Sequence, residues 1–233
     1  MSRNPPKSYL ELSLGQTPEF SLVERLKNLE QLQNASQSRL RLAILKGDMN
    51  GHRQFPSDMS IDNIMLYEAL EKAYMMGRDR VDAPLQDQTM VDVGCGDGFP
   101  SIIASMVGYD ARGIDRENLL VRNARSNALI AQKTRIISSQ PLYVEGNAHT
   151  LNDYATLGGF ENIDVFYMFP VERLLEGFLP MFNQHAKRGA RLILVPGLNE
   201  KRIRGIAETL PSIELVYQDV EENRYQIYMK RDI

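Results

Sequence analysis

The sequence TMVDVGCGDGFPSIIASMVGYDARGID, residues 89–115, decides the fold of this chain. It holds a short apolar run, three glycines within five residues, a helical pattern and a second apolar run that ends on Asp115. The pattern predicts a strand over 89–93, a helix over 99–107 and a strand over 111–114, which together begin a parallel sheet. The glycine turn and Asp115 are then expected at the carboxyl edge of that sheet, where ligands bind in such folds.

The alternation of strands and helices continues to the end of the chain. Further strands are predicted at about 141–145, 163–168 and 191–195, and helices at about 116–132, 150–157 and 170–187. The last two apolar runs, SIELVYQDV and RYQIYMKR, are separated only by EEN. We therefore expect them to form an antiparallel pair at the end of the sheet.

The first part of the chain follows a different pattern. Residues 1–19 are polar, contain three prolines and are predicted to form an extended arm. Leucines at helix-like spacings predict a helix over 21–46, which the polar segment NASQS at 34–38 is expected to divide in two. The chain is thus divided into an N-terminal arm and helical cap, residues 1–88, and an α/β domain, residues 89–233.

A second predicted helix, over 61–76, completes the cap. Ser60 is expected to be its N-cap and Gly77 its end. The preceding loop, GDMNGHRQFPSD at 47–58, is rich in turn-forming residues and contains His52. His52 is a candidate general base, and an ordinary solvated loop histidine is the alternative.

Composition restricts the classes of function. A net charge of −3 lacks the basic excess that phosphate contacts require, so nucleic acid is an unexpected partner. The single cysteine excludes an intramolecular disulfide bond, and the three widely spaced histidines predict no metal site. No apolar run approaches the roughly 18 residues of a membrane span, and the N-terminus does not look like a secretory signal. A cytoplasmic protein without membrane association is therefore expected.

The glycine turn has the properties of a ligand-binding loop. Glycine adopts backbone angles that other residues avoid and lets a ligand approach the main chain; the turn glycines are Gly94, Gly96 and Gly98. The dinucleotide fingerprint would need glycine at position 99, which is Phe99, so a nicotinamide-dependent oxidoreductase fits poorly. The carboxylates of Asp92 and Asp97 suit an amine-bearing ligand better than a pyrophosphate. Asp115 can accept hydrogen bonds from both hydroxyls of a ribose.

VDVGCGDG followed by GID resembles motif I and the next acidic position of class I S-adenosylmethionine-dependent methyltransferases. The likeness extends through the order of strands and helices from about Thr89 to Lys230. It implies an α/β fold, a Rossmann-like doubly wound seven-stranded sheet with a C-terminal antiparallel strand pair, to which the N-terminal helical cap is added. It also implies S-adenosylmethionine (SAM) as the cofactor and S-adenosylhomocysteine as its product.

The resemblance assigns roles to individual residues. Asp92 is expected to hold the ammonium group of SAM, and Asp115 its ribose. Asn147, in VEGNAHT after the third strand, is expected to meet the adenine, with a plain turn residue as the alternative. His149 is expected near the adenine edge, and Cys95 is expected to be a small filler of the turn. The full set of expected cofactor-binding residues is Asp92, Gly94, Cys95, Gly96, Asp97, Gly98, Asp115, Asn147, Ala148 and Tyr167.

Methyl transfer from a sulfonium is an in-line displacement that needs no metal, so catalysis is mainly positioning, with a base where the acceptor must lose a proton. The fourth strand faces the methyl group in this fold, and here it continues as FYMFPVER. Many nucleic-acid and amide methyltransferases carry Asp or Asn and two prolines at this point, so such substrates are disfavoured. The candidate catalytic residues are His52, Tyr167 and Glu172, with Phe169 and Arg173 at the substrate mouth.

The function predicted from the sequence is methyl transfer to an oxygen or nitrogen atom of a small molecule. A protein (lysine) methyltransferase is one alternative, and a SAM-binding module without catalysis is another. The leucine-rich first helix either packs on its own domain or forms a homodimer.

Overall fold

The computed structural model describes residues 20–45, 62–78, 88–169, 172–195, 200–219 and 224–232. Within these ranges the chain forms six α-helices and seven strands. They are α1 (Leu22–Leu45), α2 (Asn63–Arg78), β1 (Thr89–Val93), α3 (Phe99–Val107), β2 (Asp110–Asp115), α4 (Asn118–Lys133), β3 (Leu142–Glu145), β4 (Val165–Met168), α5 (Glu172–His185), β5 (Arg191–Leu194), α6 (Glu200–Glu208), β6 (Ile213–Gln218) and β7 (Gln226–Lys230). Two 3-10 helices, Leu151–Leu157 and Phe160–Asn162, precede β4.

The strands form one sheet in the order β3-β2-β1-β4-β5-β7-β6. The first five strands of the chain run parallel, and β7 pairs antiparallel with both β5 and β6. The predicted fold and its C-terminal antiparallel pair are confirmed. The chain turns in opposite directions on the two sides of β1, which makes the carboxyl end of β1 the topological switch point where ligands bind in such sheets.

Both faces of the sheet are covered, which a parallel sheet requires. On one face, α1, α2, α3 and α4 pack together around Met90, Ile102 and Val121. On the other face, α5 and the 3-10 helices enclose an aromatic cluster of Phe160, Phe166, Phe178 and Phe182. Helices α1 and α2 therefore belong to the same hydrophobic core as the sheet.

Helix α1 is continuous, so the predicted break at 34–38 is wrong. The polar residues of this segment find partners that are compatible with a helix. The Ser38 hydroxyl bonds to the carbonyl of Asn34 one turn earlier, and Ser36 is buried against α4, where it accepts hydrogen bonds from Asn127 and Asn123. Packing on α4 thus overrides the weak helix propensity of the segment.

Helix α2 begins at Asn63, two residues later than predicted. Asp62 is its N-cap, since its Oδ1 accepts hydrogen bonds from the amides of Ile64 at 2.9 Å and Met65 at 3.3 Å. The predicted cap Ser60 lies outside the described residues. The helix continues through Gly77 to Arg78 rather than ending at the glycine.

The far end of α2 is tied to the sheet by buried side chains. The guanidinium of Arg191, from β5, donates to the carbonyl of Ala73 at 2.6 Å, and Gln88 donates to the carbonyl of Tyr74 at 3.0 Å. A Cβ on Gly77 would overlap the Arg191 guanidinium. The glycine therefore allows Arg191 to pass beneath the helix end.

Two further elements differ from the prediction. The predicted helix at 150–157 is a 3-10 helix, and α6 was not predicted, although Ile206, Ala207 and Leu210 recur at helical spacing.

Within the described part of the chain, no helix has both the length and the apolar character needed to cross a membrane.

Candidate functional site

The turn between β1 and α3 is built on three left-handed glycines. Gly94, Gly96 and Gly98 have φ values of 74°, 53° and 83°, a region that side-chain-bearing residues rarely adopt. The amides of Gly94 and Cys95 both donate to the carbonyl of Ile114 on β2, at 2.9 and 3.0 Å. The turn is therefore fastened to the neighbouring strand where it leaves β1.

The two sides of this turn differ in their packing. A Cβ built on Gly98 would lie 2.6 Å from the Tyr143 hydroxyl and 2.8 Å from the Ala124 Cβ. A Cβ built on Gly96 would meet no described atom within 4 Å. Gly98 thus faces the packed interior, whereas Gly96 borders space that holds no described atom.

Asp115 lies at the end of β2 beside Gly96. Its Oδ2 accepts a hydrogen bond from the Gly96 amide at 3.0 Å, and its Oδ1 accepts one from the Glu117 amide at 2.9 Å. Burial raises the pKa of this carboxyl, and these two amide bonds oppose the rise. Each carboxylate oxygen keeps a further lone pair, so Asp115 is oriented and can still accept two hydrogen bonds.

Asp92 is buried beneath α3, with 2% of its surface exposed. The Ser101 hydroxyl lies 3.4 Å from Asp92 Oδ2 and 3.2 Å from the Arg112 carbonyl oxygen. A hydroxyl has one proton and cannot donate to both. The Ser101 hydroxyl therefore donates to only one of these two acceptors at a time. Burial, and next the charge of Asp115, raise the pKa of Asp92 well above its usual range.

The Asp97 side chain points toward α1. Its Oδ2 accepts a hydrogen bond from the Ser36 hydroxyl at 3.3 Å. Burial raises the pKa of Asp97 to about 6, and the hydrogen bond from Ser36 opposes the rise. The structure thus places this expected cofactor residue between the glycine turn and the N-terminal helix.

Asn147 and Ala148 follow β3 at the same edge of the sheet. The Asn147 side-chain oxygen accepts a hydrogen bond from the His149 amide at 3.1 Å, and its own amide donates to Asp153 at 2.6 Å. The Ala148 carbonyl accepts a hydrogen bond from the Tyr154 hydroxyl at 3.0 Å. The loop is therefore held by its own polar groups, and the side-chain NH₂ of the exposed Asn147 has no hydrogen-bond partner among the described residues.

His149 connects this loop to α5. Its Nε2 lies 3.0 Å from the carbonyl oxygen of Leu174. A Cβ on Gly177 would lie 2.9 Å from the imidazole, so the absence of a side chain there makes room for the ring.

Tyr167 and Cys95 are both buried. Tyr167 has 1% of its surface exposed and is the strand neighbour of Asp92. Its hydroxyl has no hydrogen-bond partner among the described residues, and burial together with Asp92 raises its pKa well above the usual range. Cys95 packs against Gly113 in the core, and burial raises the pKa of its thiol.

The side chains of the other two predicted catalytic residues, His52 and Glu172, are not among those that the structure describes. His52 lies outside the described residues. Glu172 is the first residue of α5, but its side chain is outside them as well, as is that of Arg173. Phe169, directly after β4, is half-buried.

Sequence reasoning missed the residues that support the turn from behind. They are Ser36, Ser101, Asn127 and Tyr143, and the Tyr143 hydroxyl donates to the Gly98 carbonyl at 2.9 Å. Asn123 and Asn127, one helical turn apart on α4, were the only available signal. Ser36 gave none, because its partners lie 61 to 91 positions away in the chain.

No protein-family model matches this sequence, and no curated protein matches it in sequence. The fold, in contrast, matches solved structures over nearly all of the chain. Cofactor-bound Rv0187 from MTB has a TM-score of 0.61 and 14% identity, with 100% of both chains covered. A putative O-methyltransferase from Klebsiella pneumoniae has a TM-score of 0.57 and 11% identity, with 96% of this chain and 95% of that chain covered.

A third similar structure is the magnesium protoporphyrin IX methyltransferase (ChlM) from Synechocystis PCC 6803 with bound SAM. Its TM-score is 0.50 at 17% identity, over 92% of this chain and 100% of that one. At these identities the likeness establishes architecture. Together with the strand order 3-2-1-4-5-7-6, it shows that the chain has the fold of class I SAM-dependent methyltransferases.

Proposed function

We propose that this protein is a SAM-dependent methyltransferase that transfers a methyl group to an oxygen or nitrogen atom of a small molecule. The observation that carries the proposal is the pairing of Asp115 with the open side of Gly96. Two backbone amides orient the Asp115 carboxylate and leave it able to accept two more hydrogen bonds. A carboxylate that can accept two hydrogen bonds fits the two hydroxyls of a ribose, and the space beside Gly96 is clear of described atoms.

The residues of the site fit the remaining parts of SAM. Gly94 and Gly96 allow close approach of the methionine portion to the backbone. Asp92 is the partner for its ammonium group, because a nearby cation stabilises the ionised form of a carboxyl whose pKa burial raises. Asn147 and Ala148 border the position of the adenine, at the end of the strand next to β2.

Bound SAM would supply an activated methyl group on a sulfonium with a good leaving group. The protein's part in the reaction is then to orient the acceptor in line with that group and, where needed, to accept its proton. Tyr167 is our candidate hydrogen-bonding group near the acceptor side, since its buried hydroxyl has no partner among the described residues and the residue pairs with Asp92 between β4 and β1. His52 and Glu172 are proposed as further groups for proton transfer on sequence grounds.

A small-molecule acceptor is supported by composition and by structural likeness. The net charge of −3 does not favour binding to a phosphate backbone. Two of the full-length structural neighbours are a putative O-methyltransferase and a porphyrin methyltransferase by name. A protein (lysine) acceptor and a SAM-binding module without catalysis are the competing functions.

The test is the fate of a radioactive methyl group. Purified protein is incubated with methyl-labelled SAM and cell extract, and the extract is then separated into small molecules, protein and RNA. We expect the label among the small molecules, and its absence when Asp115→Asn replaces the wild type. Label in protein or RNA would contradict the proposed acceptor class, whereas SAM binding without labelling of any fraction would identify a binding module.

A further inference from the structure

The side chain of Ser36 connects helix α1 to the glycine turn. Ser36 is completely buried, with 0% of its surface exposed, where α1 packs on α4. Its hydroxyl oxygen accepts hydrogen bonds from the side-chain amides of Asn123 at 2.9 Å and Asn127 at 3.0 Å. A hydroxyl has two acceptor positions and one proton, so these bonds leave the proton for Asp97, whose Oδ2 is 3.3 Å away.

Asn127 fixes the same residue of the turn from a second direction. It is completely buried, and its side-chain oxygen accepts a hydrogen bond from Arg39 of α1 at 2.6 Å. Its NH₂ group donates to Ser36 and also to the backbone carbonyl of Asp97, at 2.9 Å. Asp97 is therefore held through both its carboxylate and its carbonyl.

This anchoring matters because of the position of Asp97 in the turn. It lies between Gly96 and Gly98, residues that have the greatest backbone freedom and would otherwise reorient easily. The Gly96 amide must point at Asp115 for that carboxylate to be oriented. Restricting the backbone of Asp97 restricts the direction of the neighbouring Gly96 amide.

We infer that Ser36 and Asp97 are positioning residues that pre-form the cofactor turn, so that the polar contacts between α1 and the turn raise the affinity for SAM. The inference rests on the proposed function. It assigns Asp97 a role different from that of Asp92: Asp97 acts through the backbone of the turn and does not contact the cofactor's ammonium group. Pre-forming a loop raises affinity by reducing the ordering that binding would otherwise require.

The effect of Ser36 on the backbone of the turn is tested first, by amide hydrogen exchange in the cofactor-free protein. Ser36→Ala is expected to speed exchange at the Gly96 and Gly98 amides by roughly tenfold, the effect of losing one buried hydrogen bond. Leu29→Ala is the matched control, because it creates a cavity under α1 without touching the polar network. It is expected to lower thermal stability and to leave exchange in the turn unchanged.

The effect on binding is tested by calorimetry with S-adenosylhomocysteine. Ser36→Ala and Asp97→Ala are each expected to weaken binding roughly tenfold. Asp97→Asn is expected to bind like the wild type, because its side-chain oxygen still accepts the Ser36 proton. Ser38→Ala is the neutral control, since that exposed hydroxyl bonds only within its own helix.

The outcomes separate this inference from the proposed function. Wild-type affinity and exchange in Ser36→Ala would overturn the inference. Asp97→Asn binding as weakly as Asp97→Ala would also overturn it, because the charge itself would then contact the cofactor. If the wild type binds no S-adenosylhomocysteine while Ser36→Ala still speeds exchange in the turn, the link between α1 and the turn is supported and the proposed function is not.

Discussion

At the scale of single residues, the glycines of the turn have separate tasks. Gly98 needs both a left-handed backbone and the absence of a side chain, because Tyr143 and Ala124 occupy the position of a Cβ. Gly96 needs the left-handed backbone, but no described atom lies where its Cβ would be. Packing explains the first glycine, and the proposed ligand would explain the second.

Alanine substitutions should separate these tasks. Gly98→Ala is expected to lower the free energy of unfolding by more than about 2 kcal/mol, the sum of left-handed strain and overlap with Tyr143. Gly96→Ala is expected to cost about 1 kcal/mol of strain and to weaken S-adenosylhomocysteine binding, because its methyl enters the open space. Urea unfolding and calorimetry measure the two effects. Equal losses of stability in the two variants would contradict the assignment of Gly98 to packing.

At the scale of elements, α2 is held by side chains that come from the sheet. Arg191 is buried and donates to the carbonyls of Ala73 and Asp164. Removing these donors leaves buried carbonyl groups with fewer hydrogen bonds at the end of the helix. Replacement should therefore loosen α2 as a unit.

Arg191→Met, which keeps an unbranched apolar side chain and removes the guanidinium, is expected to lower the free energy of unfolding by about 2–4 kcal/mol. Amide exchange should rise in the last turns of α2 before it rises in β1. Arg188→Met is the control, because Arg188 and its partner Asp232 have side chains that are 73% and 59% exposed; it should stay within about 0.5 kcal/mol of the wild type. A similar stability for both variants would show that Arg191 does not anchor the helix.

Sequence patterns predicted most elements because those patterns are local. The alternation of apolar runs and turns predicted all seven strands. The positions of the turn glycines and Asp115, directly after two of these strands, predicted that they lie at the carboxyl edge of the sheet. The continuity of α1 at 34–38 could not be predicted, since it depends on Asn123 and Asn127 of a distant helix. The support of the turn by Ser36 could not be predicted either, because the partners of Ser36 are distant in the sequence.

At the scale of the whole molecule, the buried carboxyls of Asp92 and Asp115 and the partly buried carboxyl of Asp97 lie near the turn. Burial raises the pKa of Asp92, Asp97 and Asp115, and nearby carboxylates add to the rise at Asp92. The folded protein therefore binds their protons more tightly than the unfolded chain does. Their contribution to stability is largest at low pH and is lost as the pH rises through the folded-state pKa values.

Asp97→Asn should reveal this linkage, because asparagine does not titrate. The pKa of Asp97 is raised from 3.8 to about 6. Between about pH 4 and pH 7, the wild type should lose on the order of 1–2 kcal/mol of stability relative to Asp97→Asn. Urea unfolding of both proteins across this range measures the difference. A difference that does not change with pH would mean that Asp97 titrates normally.

The central claim is that the glycine turn and Asp115 form a SAM site, and calorimetric titration with S-adenosylhomocysteine tests it most directly. We predict clear binding by the wild type and by Asp110→Asn, which changes an exposed carboxylate at the other end of β2. Asp115→Asn should bind at least about tenfold more weakly, because hydrogen bonds to a charged acceptor are lost. Equal affinity of Asp115→Asn and the wild type, or no binding by the folded wild type, would contradict the claim.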